Sequence, residues 1–222
     1  MYQLWKDRFE KDATFDPRFD QHVNGHRIAI HYFTDLHWSK RLATHNDNLT
    51  RIMERTAQIF GHERFLYRVN KGTKTPFGSH AVLLPNKPQG QNGYAEYNNI
   101  AGLSAINATP WHIRFLVHHG IAPDAIHQAF YYPDVYQSVL RTSIRRPDAT
   151  APVNVVVVDQ GAAEYLQAKF PGAKLVHHEI GVAAVQYQAR GRSRGRPRKW
   201  ASNAERQAQY RRRQCETKIA AA

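Results

Sequence analysis

Residues 153–159 read VNVVVVD. Five valines in this run favour an extended chain, because a β-branched side chain loses less freedom in a strand than in a helix. A strand with one wet face alternates polar and apolar residues. This one does not alternate, so both of its faces are covered. Strands covered on both faces belong to parallel sheets, whose crossover helices lie above and below. One short run therefore predicts an α/β fold.

The pattern extends outward from that strand. GAAEYLQAKF (161–170) has helical spacing, and AKLVHHEI (173–180) reads as a last strand. Earlier in the chain, RIAIHYF (27–33), RFLYRVN (64–70), HAVLLPN (80–86) and NIAGLSAIN (99–107) read as strands. HNDNLTRIMERTAQIF (45–60) places Leu49, Ile52, Met53, Ala57 and Phe60 on one helical stripe, closed by Gly61. Residues 122–146 read as helix, a break at Pro133, then a second helix. Trp111 and Phe115, four apart, read as core. The whole predicts one open, three-layer, mostly parallel sheet with helices on both faces. Ligands of such sheets gather at the carboxyl ends of the strands. Asn70, Lys71, Gly72, Asn107 and Asp159 fall at those ends.

The chain of 222 residues carries 31 Lys+Arg against 18 Asp+Glu, a formal charge of +13. That excess suggests a polyanion partner, most simply nucleic acid. It is unevenly placed. Residues 189–222 hold eleven Lys/Arg and two Glu, or +9, which leaves +4 for residues 1–188. The predicted division is an N-terminal extension (1–24), a core domain (25–182) and a basic tail (183–222). With one cysteine, Cys215, no disulfide can form within the chain. No run reaches the roughly 20 apolar residues of a membrane span, and the amino terminus has no apolar leader, so a cytoplasmic protein with no membrane partner is expected. Thirteen histidines stand beside a single cysteine with no Cys-x2-Cys spacing, which argues against a zinc site.

YQSVLRTSIRRPD (136–148) precedes the decisive strand. Steps of four put Gln137, Arg141 and Arg145 on one face of a helix. This stretch resembles motif VI of superfamily-two helicases, Gln-x-x-Gly-Arg-x-x-Arg. RFLYRVNKG sits in the order of that family's motif IV, and GQNGYAEYNNIAGLSAINATP (90–110) in that of motif V. Residues 25–180 thus resemble the second, C-terminal RecA-like lobe of such a helicase, of the divergent phage and plasmid type. The spacing Gln-x3-Arg-x3-Arg departs from the usual motif. The resemblance implies a DNA helicase or translocase ATPase with Arg145 as the finger, Arg141 beside it and Gln137 near the nucleotide. Arginine suits that task, being always charged and presenting a planar fork to phosphate.

The same resemblance implies nucleic-acid contacts from Tyr94, Tyr97, Asn98, Ser104, Asn107 and Thr109. The tyrosines would stack on bases, and the others would bond phosphates. The phosphate cradle Gly-x4-Gly-Lys-Ser/Thr is absent from the sequence. No Asp-Glu magnesium motif is present either. ATP and Mg2+ would therefore be shared with an N-terminal lobe that this chain lacks, and the chain alone should not hydrolyse ATP.

RGRSRGRPRKW (190–200) resembles an AT-hook, with Gly195, Arg196 and Pro197 flanked by Arg194, Arg198 and Lys199. A slim Gly-Arg-Pro stretch fits the narrow, strongly negative minor groove of A·T tracts. Ser202, with Glu205 three residues on, predicts a helix start. The alternative to the helicase lobe is a non-enzymatic protein that binds DNA through this tail. RNA remains a third, weaker partner, behind DNA.

Overall fold

The computed structural model describes residues 22–85, 93–146, 148–185 and 202–219. The chain divides into two compact units, 1–185 and 186–222. In the first, β1 (Ile28–Tyr32) leads through α1 (Lys40–Thr44) and α2 (Asn48–Phe60) to β2 (Phe65–Arg68). Then come β3 (Ala81–Leu83), β4 (Asn99–Gly102), α3 (Pro110–His118) and α4 (Pro123–Val139). β5 (Val153–Val157), α5 (Gln160–Lys169) and β6 (Lys174–His177) complete it. In the second unit, α6 spans Asn203–Ile219, and Ser202 Oγ accepts the Glu205 N–H at 3.2 Å.

The six strands lie in the order β3-β2-β4-β5-β1-β6, and every pair is parallel. The sheet is all-parallel, a stricter arrangement than the mostly parallel one expected. β5 sits near its centre, with Val153, Val155, Val156, Val157 and Val158 all buried. Ile30 of β1 stands opposite Val155 on one side and Leu175 on the other. The chain leaves β1 in one direction, toward β2, and leaves β5 in the other, toward β6. Right-handed crossovers in both directions put α1 and α2 on one face and α3, α4 and α5 on the other.

Three local expectations are corrected. Residues 123–139 form one continuous helix through Pro133. Tyr131, Tyr132 and Val135 bury the same helix in the sheet's core. That packing outweighs the roughly 3 kcal/mol an interior proline costs. α4 also stops at Val139, so Arg141 lies in a turn and Arg145 on a separate 3-10 turn, Ser143–Arg145. Gln137, Arg141 and Arg145 therefore share no helical face. Trp111 and Phe115 are 62% and 52% exposed, not core.

A polar chain crosses the α2 face of the sheet. Arg55 has only donors, and its Nη2 lies 3.2 Å from His178 Nδ1. That nitrogen accepts, so His178 Nε2–H donates to His31 Nδ1 at 2.9 Å. His31 Nε2–H then points to Asn154 Oδ1 at 3.4 Å. Asn154 Nδ2 donates to Asn99 Oδ1 at 3.0 Å, and Asn99 Nδ2 to Glu63 Oε2 at 2.7 Å.

The chain's direction requires both imidazoles to be neutral. Burial, with His31 and Arg55 beside it, pushes His178 down to about 4. Burial also lowers His31. A lowered histidine means the unfolded state binds more protons between the two values, so stability rises with pH there. The contribution is complete above the ordinary histidine value of about 6.5 and is lost as pH falls toward 4. The thermal midpoint should therefore fall between pH 7 and pH 5, and His178→Gln should flatten that slope. An unchanged slope in the variant would remove His178 from the explanation.

Candidate functional site

The sequence-predicted residues fall at two ends of the sheet. α4 descends from the carboxyl edge to the amino edge, where the arginine turn follows it. Gln137 is exposed on the last turn of α4. Arg141 is half-buried, and Arg145 and Arg146 are exposed. Arg146 Nη2 lies 3.0 Å from Asp148 Oδ2, whose carboxyl is held below its usual range by that hydrogen bond.

The turn that carries these arginines is clamped from several sides. Its Ser143 N–H donates to Tyr97 O at 2.9 Å, and Ser143 Oγ donates to Asn98 Oδ1 at 2.6 Å. Thr142 Oγ1 donates to Val139 O at 2.7 Å, and Ile144 packs into the core at 3% exposure. Arg27, just before β1 and buried, supplies the remaining clamp. Its Nη2 donates to Ser143 O at 2.6 Å and its Nη1 to Ala151 O at 2.8 Å. A guanidinium is suited to this because its two outer nitrogens reach two separate carbonyls in one plane. Nothing in the sequence pattern around Arg27 marks it; the long-range partners, 116 and 124 residues away, become visible only in the fold.

Tyr94, Tyr97 and Asn98 belong to this amino edge. Tyr97 is buried, and its hydroxyl accepts from Arg64 Nη2 at 2.6 Å. Asn98 is tied to the arginine turn, and its carbonyl accepts from Asn154 N–H at 3.0 Å. Ser104, Asn107 and Thr109 lie beyond the other end of β4. Ser104 is buried, Asn107 and Thr109 are exposed, and Thr109 is the N-cap residue of α3. The two groups are therefore separated by the length of β4 and do not form one continuous patch. Arg194, Gly195, Arg196, Pro197, Arg198 and Lys199 lie outside the described residues.

At the carboxyl edge, the chain diverges between β1 and β5, the kind of switch point that opens a crevice in doubly wound sheets. Two open clefts meet there, of about 420 and 440 Å3, and both include Asp35 and Gln160. The larger also holds His37, Tyr132 and Glu164. Asp159 does not face them as a free carboxylate. Its Oδ1 accepts Ala162 N–H at 2.8 Å to cap α5, and its Oδ2 accepts Trp38 N–H at 3.1 Å. Burial nonetheless pushes its carboxyl upward.

Tyr132 lies over Gly161, where a Cβ would come within 2.2 Å of the hydroxyl. Glycine at 161 lets the ring close the crevice floor. Burial, with Asp159 and Glu164 near, pushes that hydroxyl up to about 12, so it stays a donor at neutral pH. The sequence showed Asp159 as a strand-end residue. It gave no sign of Asp35, His37 or Tyr132, because the loop after β1 and α4, distant in sequence, meet only in the fold.

Among the described residues, no group of three or more His, Cys, Asp or Glu is placed to hold a metal ion. No described helix is long and apolar enough to cross a membrane. No protein-family model, curated protein or solved structure matches the chain.

Proposed function

We propose that the chain works as the C-terminal RecA-like lobe of a DNA helicase or translocase, lending arginines to ATP held by a separate phosphate-loop lobe. The supporting observation is the clamped turn. Arg145 is exposed, yet the backbone beneath it is fixed by Tyr97, Asn98, Thr142 and Arg27. A finger acts by electrostatic preorganisation, so its carrier must not move when charge develops on the γ-phosphate. Mg2+ would be held by the partner lobe and the nucleotide. The all-parallel sheet agrees with this reading without singling it out.

The test starts with the pure chain, which should bind ATP weakly and turn none over. The polypeptide encoded next to it is then added, if it carries Gly-x4-Gly-Lys-Ser/Thr. DNA-stimulated hydrolysis should appear only in the mixture. Turnover by the pure chain would sink the proposal, as would a silent mixture.

A second reading is favoured by the charge distribution, with +9 in residues 189–222 against +4 elsewhere. Here the protein is a non-enzymatic DNA binder that anchors through its tail. If the tail neutralises about six phosphates, log affinity should fall against log salt with a slope near −5. Removing 189–222 should then flatten the slope to near zero. A slope that survives the deletion would place the anchor in the α/β unit.

A further inference from the structure

We propose that α3 is a stacking platform for single-stranded nucleic acid, with Trp111 and Phe115 contacting bases and Arg114 a phosphate. The inference rests on the nucleic-acid half of the reading above and is independent of the ATPase half.

α3 has two unlike faces. Leu116 is buried and, with Ile113, joins Ala108 and Ile126 in a small cluster that fixes the helix to α4. The other side presents Trp111 at 62% exposure and Phe115 at 52%. Four residues apart, these rings sit roughly 6 Å apart along the helix axis. That is close to two base-stacking steps of about 3.4 Å, so the pair can engage one base between them or one base each. Two exposed large aromatics on one short helix face are costly to leave in water, and base stacking covers them without sequence choice.

The surrounding charge selects the occupant. Arg114 is exposed on the same helix. Lys71 and Lys74 are exposed on the loop after β2. Asn70 joins that loop to the one leading into α3, accepting Ala105 N–H at 2.9 Å and donating to Ala105 O at 3.1 Å. No Asp or Glu occurs in residues 65–85 or 97–123, and the next carboxylate in the chain is Asp124 in the first turn of α4. The crevice on the other half of the same edge carries Asp35, Glu164 and Glu179. The carboxyl edge is thus divided into an acidic half and an aromatic, basic half. Only the second suits a polyanion with flat apolar faces. A duplex keeps its bases stacked inward, so rings on a convex helix engage an unpaired strand.

The full chain would be titrated into a labelled oligothymidylate of about twenty nucleotides and into a duplex of the same length. Salt near 0.3 M suppresses contacts made through phosphate alone. The variants are Trp111→Ala with Phe115→Ala, and the conservative Trp111→Phe. Two stacking contacts of about 1–3 kcal/mol each predict a loss of about 30-fold or more for the single strand in the double variant. Duplex affinity should stay within about twofold, and Trp111→Phe should keep most of the single-strand affinity. Both side chains are exposed, so the substitutions leave the core packing in place, which circular dichroism checks. Unchanged single-strand affinity overturns the platform, as does equal loss for both ligands. So does an unchanged oligonucleotide affinity with loss of a protein partner, which would make α3 a protein interface. If the wild-type chain binds neither ligand, the nucleic-acid reading itself fails.

Discussion

Replacing Arg145 with alanine should lower the DNA-stimulated turnover of the reconstituted ATPase by about 10³-fold or more, while DNA affinity stays within about twofold. The size follows from what the guanidinium would do in the proposed role. Negative charge spreads over the γ-phosphate oxygens in the transition state, and a fixed cation there lowers the barrier by about 4 kcal/mol per 10³ in rate. Arg145→Lys should recover little, because an ammonium keeps the charge but loses the planar fork. Arg146→Ala is the internal control. Its guanidinium is already engaged by Asp148 on the surface, and exposed pairs of this kind contribute little. If Arg146→Ala is as damaging as Arg145→Ala, the turn supplies general positive charge and no finger. If neither matters, the ATPase reading is lost, and the tail-anchored DNA binder gains.

The sheet was legible because its signal is local. VNVVVVD needs no knowledge of its neighbours to be read as a strand covered on both sides, and Val153, Val155 and Val156 are each at most 1% exposed. The helices were legible only where spacing and packing agree. α3 escaped notice although Thr109-Pro110 is a sound start signal, with proline at the first helical position. Its aromatics look like core in sequence, yet the core-facing side of so short a helix is filled by Ile113 and Leu116. α1 begins at Ser39, whose hydroxyl accepts Leu42 N–H at 3.2 Å, but its five residues are too few for periodicity to show. Around Gln137, Arg141 and Arg145 the failure has a different cause. A spacing of four is meaningful only while the helix lasts, and no residue in LRTSIRR announces a stop. The helix ends because Thr142 and Ser143 turn to bond Val139, Tyr97 and Asn98, partners that sequence spacing cannot show.

The clamp beneath the turn predicts a second large effect, on stability. Arg27→Met keeps most of the buried aliphatic volume and removes both hydrogen bonds to Ser143 O and Ala151 O. Bonds from a charged donor contribute about 1.5–3 kcal/mol each, and the two carbonyls would be left near the interior without them. A loss of about 3 kcal/mol is expected, which in a chain of this size lowers the thermal midpoint by about 6–12 °C. Arg27→Lys should recover only part of this, since one ammonium cannot span two carbonyls in the same plane. The effect on hydrolysis distinguishes a positioning role from a purely structural one. If Arg27 acts by holding Arg145 in place, Arg27→Met should lower turnover at a temperature where the variant is fully folded. The same substitution in an Arg145→Ala background should lower it no further, because the group it positions is already gone. Additive losses would mean that Arg27 serves the fold alone, and that Arg145 finds its geometry by other means.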